Sequence, residues 1–302
     1  MQSVGLNTYI WNNNLKSIIL LCAFPFLFFL MDFCYFAIQA SLNNPTTDSV
    51  QAGFSGLLMT WHWIVLGVGL WFIIAYFFNG AMIRAATHAQ PLSRKEAPEL
   101  YNLLENLCIS RGVTMPALYI METPALNAFA SGIDKKSYSI TVTRGLLNTL
   151  DSRELQAVLG HELTHIMNSD VRLLIVSVIF VGILSFLSNI AVRNLVYGRK
   201  SRDQGLAVFI GMIILFIGYF LAILIRFALS RRREFMADAG AVALTKDPQA
   251  MISALIKISK HAEVADVPGD VKAMFIENPS SFMGLFATHP PIEDRIEMLR
   301  NL

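Results

Sequence analysis

Four long apolar runs constrain this 302-residue chain more than anything else in it. They extend from Ser17 to Ile38, Leu57 to Phe78, Leu173 to Val192 and Leu206 to Ala228. Each matches the ~20 apolar residues that a helix needs to cross bilayer hydrocarbon. Composition agrees, because only 15% of residues are charged against about 25% in ordinary soluble domains. The expected class is a mainly α, multi-pass integral membrane protein with about four transmembrane helices, partnered by the lipid bilayer. The first run is too long for a signal-peptide core and reads as an uncleaved span. Asp32 inside it is costly unless it faces another helix, and a polar contact between spans is the expected role. Trp61, Trp63 and Trp71 read as interfacial anchors of the second run, with His62 beside them. A net charge of +2 gives no reason to expect a nucleic-acid partner.

The runs divide the chain into an N-terminal membrane hairpin (1–79), a soluble-looking segment (80–172), a second hairpin (173–228) and a second soluble-looking segment (229–302). In the first soluble segment, Leu100, Leu103, Leu104 and Leu107 recur at helical spacing over 96–111. Residues 117–121 and 138–142 read as short strands, which gives this part an α+β character with a small sheet. Asn127-Ala128-Phe129-Ala130 lies between them. Cys22 and Cys34 would stand roughly 18 Å apart on one helix, and no Cys-x-x-Cys pair exists. Neither a disulfide framework nor a cysteine metal site is indicated.

The chemistry is concentrated in Gly160-His161-Glu162-Leu163-Thr164-His165. Positions i and i+4 of a helix share a face, so the imidazoles of His161 and His165 can reach one metal ion. Glu162 is then placed to act as general base toward a water. A helix is expected here, because Asp151 with Glu154 forms a capping box and Leu155, Val158, Leu159 and Leu163 form an apolar stripe. A catalytic zinc needs a third protein ligand and an open position. Glu234 and Asp238, again i and i+4, are the best-placed candidates. Glu234 could bind the metal while Asp238 accepts a hydrogen bond from a ligand imidazole. A solvated juxtamembrane helix with Arg–Glu pairs is the competing account of 230–238. His88 and His261 lack helpful neighbours and read as surface residues.

If the third and fourth runs both cross, His165 and the segment after Ala228 return to one side, as a shared site requires. The loop at 41–54 has no Lys or Arg, whereas Arg84, Arg94, Lys95 and Arg231-Arg232-Arg233 cluster on the site's side. That asymmetry places the site at the cytoplasm. Arg193, Arg199, Lys200 and Arg202 disagree, because the loop carrying them should lie outside.

These segments, in this order, resemble the HtpX family of bacterial membrane zinc metalloproteases, related to the CAAX prenyl proteases of eukaryotes. The resemblance rests on the paired N-terminal runs, Asn127–Ala130, Val142-Thr143-Arg144-Gly145-Leu146-Leu147, the metal motif and the second hairpin. It continues through 230–238, Thr288-His289-Pro290-Pro291 and Arg295-Ile296, so it covers nearly the whole chain. It implies a zincin-like catalytic domain with one zinc per chain, Glu234 as third ligand, and Asp238 behind His161. It implies Glu162 as catalytic base and Asn127, Ala128, Phe129 and Ala130 as the edge strand against which a peptide lies. His289 would donate to the developing oxyanion or else cap a helix. The implied activity is a zinc endopeptidase of the bacterial inner membrane, cleaving membrane or misfolded proteins in quality control, with other quality-control proteases as candidate partners. A non-catalytic zinc-binding adaptor and a prenyl-protein protease are the alternatives. An adaptor would not need Glu162, and the chain lacks the extra spans of the prenyl-protein enzymes.

Overall fold

The computed structural model describes residues 6–43, 46–172, 174–175, 184, 209, 211–218, 232–264, 267, 271, 274–276 and 290–302. Most of the third and fourth apolar runs, the basic loop at 193–202 and His289 lie outside these residues. The chain divides into two compact units. One comprises Met1–Asn14, Phe78–Ile175 and Phe227–Leu302, the other Leu15–Phe77 and Val176–Arg226.

The apolar unit is built on α1 (Leu6–Asn43) and α2 (Ser49–Thr87). Both outrun the apolar stretches that mark them, because polar residues at a span's ends do not break a helix. Pro25–Leu42 and Ser49–Ile74 are long and apolar enough to cross a membrane, so two of the four expected spans are found among the described residues. The helices approach closely at Gly53 and Gly56, where an added Cβ would stand 2.6 Å from the Phe33 ring and 2.1 Å from the Phe36 ring. Small residues at such crossings let backbones pack in lipid, where no hydrophobic effect drives helices together. Asp32 finds the expected contact, since Thr60 Oγ1 donates to its Oδ2 at 2.5 Å. Leu58, Met59, Trp63 and Phe77 stand exposed, as suits a surface facing hydrocarbon.

The other unit carries a four-stranded sheet and a layer of helices. Strand β1 (Gln90–Pro91) precedes α3 (Pro98–Arg111), which has Pro98 in its first turn and ends at Gly112 with φ 62°. Leu100, Leu104, Leu107 and Cys108 form its buried face. Strands β2 (Ala117–Met121), β3 (Ala128–Ser131) and β4 (Ser139–Thr143) follow. The sheet order is β1-β2-β4-β3, with β2 parallel to β4 and β3 antiparallel to it. Strand β3 is thereby an edge strand. The Thr143 side chain caps α4 (Arg144–Thr149). Gly145 is required there, because an added Cβ would lie 2.1 Å from the Pro124 carbonyl oxygen.

Helix α5 (Ser152–Met167) begins at the expected capping box: Asp151 accepts from the Glu154 amide, and Glu154 accepts from the Asp151 amide. Its stripe Leu155, Val158, Leu159 and Leu163 is buried. Among the described residues, helices α6 (Arg232–Thr245), α7 (Pro248–Lys260) and α8 (Ile292–Arg300) follow. Helix α6 lies against α5 where Gly160 and Gly240 remove side chains: added Cβ atoms would stand 3.4 Å from the Ala241 Cα and 2.3 Å from the Thr164 methyl.

Glu154 also ties α5 to α7, accepting from Ser253 at 2.5 Å and Lys257 at 2.7 Å. Burial alone would raise its pKa, but these donors and the Asp151 amide hold it below the ordinary value. A carboxylate with a lowered folded-state pKa adds stability that is present above its unfolded pKa and is lost as the pH falls through the folded one. Glu154→Gln is therefore expected to cost about 1.5–3 kcal/mol at neutral pH. Thermal melts should show the deficit shrinking below about pH 4. A deficit that persists at acid pH would mean that packing, not charge, is what the substitution removes.

Candidate metal centre

Helical spacing puts His161 and His165 one turn apart on α5, and their Nε2 atoms are 3.1 Å apart. Helix α6 brings in Glu234, whose Oε2 is 3.5 Å from His161 Nε2 and whose Oε1 is 3.6 Å from His165 Nε2. One donor atom from each of the three lies within 4.8 Å of the others. The close α5–α6 crossing at two glycines makes this meeting of residues seventy positions apart in sequence feasible.

Each imidazole is anchored from behind. His161 Nδ1 lies 2.9 Å from Asp238 Oδ1, and His165 Nδ1 lies 3.2 Å from Asp170 Oδ2. Hydrogens on the two Nδ1 atoms leave both Nε2 lone pairs facing Glu234, the arrangement metal-binding histidines require. Asp170 was not foreseen. It sits five residues after His165, past a turn in which Ser169 adopts φ 60° and redirects the chain. A carboxylate one short turn beyond a motif histidine was the available signal. Asp170→Asn is expected to weaken metal binding by roughly 10–100-fold, measured by competition with a chelator. Unchanged affinity would make the contact incidental.

Asp238 is fully buried and is gripped in turn by Arg295, which is also fully buried. Arg295 donates through Nε to Oδ2 at 2.8 Å and through Nη2 to Oδ1 at 2.7 Å. Burial would raise the Asp238 pKa, but the guanidinium and His161 outweigh it and hold it below the usual carboxylate range. Burial likewise disfavours charge on His161, yet Asp238 and Glu234 hold its pKa above the ordinary imidazole value. For His165, Glu234 and Asp170 overcome burial more strongly. The cluster is thus short of positive charge at the point where three donor atoms converge. A divalent cation meets that need, and two imidazoles with one carboxylate form a zinc-type donor set.

Glu162 points from the buried face of α5 and is 2% exposed. Desolvation raises its pKa, while the imidazoles and a hydrogen bond from the Ala130 backbone pull it back. That bond places β3 beside the carboxylate. The amide of Thr143 donates to the carbonyl of Asn127, so by antiparallel alternation Ala128 and Ala130 turn their main-chain groups away from β4, where the Ala128 carbonyl accepts from the Ile276 amide at 2.9 Å. Asn127 uses its side chain internally, donating to the Ala262 carbonyl at 2.8 Å and accepting from the Ala128 amide at 3.0 Å. Phe129 is core, its ring 5.1 Å from that of Phe275. The structure thus brings His161, Glu162, His165, Glu234, Asp238 and residues 127–130 into one region. His289 is outside the described residues.

Residues 94–302 match the family described as Peptidase family M48. A protein named "Protease HtpX homolog" from Bacteroides fragilis is 46% identical, with 99% of each chain covered. Another of that name, from Dictyoglomus thermophilum, is 43% identical over 69% of this chain and 70% of its own. Among solved structures, Ste24p of S. mikatae shares the fold with a TM-score of 0.51 at 20% identity, covering 96% of this chain and 66% of that one.

Proposed function

This chain belongs to peptidase family M48, among membrane metalloproteases of the HtpX type, and from that premise we propose how its residues divide the work. One zinc ion per chain is held by His161, His165 and Glu234. The observation that carries this reading is the convergence of two Nε2 atoms and the Glu234 carboxylate, each imidazole being fixed from behind by its own aspartate. Zinc in such a site supplies Lewis-acid chemistry, polarising a carbonyl and making water nucleophilic near neutral pH.

The protein's own groups do the rest. Glu162 accepts a proton from the attacking water at its carboxylate and hands it to the departing amine. Burial favours the protonated form, so the proton is held long enough to be delivered. The substrate lies extended along β3, whose backbone bonds suit many sequences. The substrates are membrane or misfolded proteins, cut at the cytoplasmic face of the bacterial inner membrane. The basic residues Arg84, Arg94 and Lys95 and the Lys- and Arg-free loop at 41–54 support that orientation.

The test is cleavage of casein by detergent-purified protein, before and after metal is stripped with a chelator. Activity that disappears with the metal and returns with one equivalent of zinc is the expected result. Full activity in metal-free protein would overturn the reading. For orientation, a cysteine placed in the 41–54 loop should react with an impermeant thiol reagent from the outer side of intact spheroplasts. Protection there would reverse the topology.

A further inference from the structure

Arg295 is among the largest fully buried side chains in the protein, and a buried guanidinium is costly unless its donors are all used well. Its Nε and Nη2 form a two-bond fork on Asp238, which stands behind His161. Its Nη1 donates to the carbonyl of Ile276 at 3.0 Å. The amide of the same residue, Ile276, donates to the carbonyl of Ala128 at 2.9 Å. Phe275 and Phe129 pack edge to face beside that bond. One side chain on α8 therefore reaches in two directions, to His161 through Asp238 and to the outer edge of β3 through Ile276.

From this geometry we propose that Arg295 is a positioning residue that sets the metal ligand His161 and the substrate strand β3 in register with each other. The planar fork fixes both Asp238 oxygens, which holds Oδ1 2.9 Å from His161 Nδ1 and so restrains the ring. The third donor holds Ile276 against Ala128, which fixes the depth of β3 beside Glu162. Peptide hydrolysis needs the scissile bond, the base and the metal site aligned to within a fraction of an ångström. A tether common to the strand and the ligand supplies that alignment. Lysine cannot substitute, because a single ammonium cannot present the same three in-plane donors.

The inference rests on the zinc-protease reading, and the test separates the two. Arg295→Lys, Asp238→Asn and the double variant Asp238→Asn with Arg295→Gln are purified as full chains. Zinc affinity is measured by chelator competition, and KM and kcat on a peptide are measured at saturating zinc. Arg295→Lys is expected to weaken zinc binding by roughly 10-fold or more and to raise KM. In the double variant, zinc affinity should fall no further than in Asp238→Asn alone, because the arginine acts on the metal through that aspartate. KM should nevertheless exceed that of Asp238→Asn, because the Ile276 arm bypasses it. Wild-type zinc affinity and KM in Arg295→Lys would overturn the proposal, as would zinc losses that multiply in the double variant. If Arg295→Lys does not fold, the double variant, with neither buried charge left unpaired, decides against its Asp238→Asn parent. A KM equal to the parent's would then refute the strand arm. Failure of the wild type itself to bind zinc would instead reject the function.

Discussion

Replacing Glu162 with glutamine is expected to lower kcat by roughly 10²–10⁴-fold while leaving the bound metal in place. Glutamine keeps the size of the side chain and can still accept from the Ala130 amide, but it cannot take a proton from water. The atoms proposed to hold the metal belong to His161, His165 and Glu234, so metal content measured on the purified variant should equal that of wild type. Stability supplies an independent check. Burial raises the Glu162 pKa above its ordinary value, so in the metal-free protein the folded state binds a proton more tightly than the unfolded one. Stability must then fall as the pH rises from the unfolded pKa through the folded one. Glutamine removes that cost, and the metal-free variant should melt at or above the wild-type temperature at neutral pH. A variant inactive because it is misfolded would melt lower and lose metal. A base that must be ionised to act also predicts an acid limb in the kcat/KM profile, rising as Glu162 deprotonates. Residual activity in Glu162→Gln should lack that limb. Activity within a few fold of wild type would assign the proton transfer to another group.

Local signals in the sequence carried over to structure wherever one helical turn or one strand decided the outcome. The capping box at Asp151 and Glu154, the stripe through Leu163 and the pair His161 and His165 all follow from a period of 3.6 residues. The strands expected at 117–121 and 138–142 were legible from their β-branched and aromatic content, the second one residue early of the observed Ser139–Thr143. Their parallel pairing was not, because nothing local says that β3 leaves the space between them and returns to the edge. Glu234 could be nominated by its spacing to Asp238, but its meeting with α5 depends on Gly240, whose importance appears only once the two helices touch. Asp170 and the role of Arg295, legible only as part of a family segment, were hidden for the same reason: each acts on a histidine through space, from a turn and from a distant helix. The membrane runs were legible by length alone, yet length did not set the ends of α1 and α2, which continue into polar sequence.

The largest effect on the metal itself is expected from Glu234→Ala. Substitutions behind a ligand cost roughly 10–100-fold in affinity, so losing a direct ligand should cost more than about 10²-fold. The geometry explains why no neighbour compensates. Asp238 faces Nδ1 of His161 and is committed to Arg295. Asp170 faces Nδ1 of His165. Neither carboxylate can turn toward the Nε2 side without giving up the bond that orients its imidazole. The variant should therefore purify without metal, show no casein cleavage, and regain little activity at zinc concentrations that saturate wild type. Glu234→Asp is a finer test. Its carboxylate is shorter by one methylene on an α6 that is held close to α5, so it should bind zinc more weakly than wild type yet more tightly than Glu234→Ala. Metal-loaded, active Glu234→Ala would remove Glu234 from the ligand set and leave the third donor to be sought among residues outside the described part of the chain. Graded loss from glutamate to aspartate to alanine, in metal content and activity alike, would tie the assignment to the carboxylate's reach and not to a general disturbance of α6.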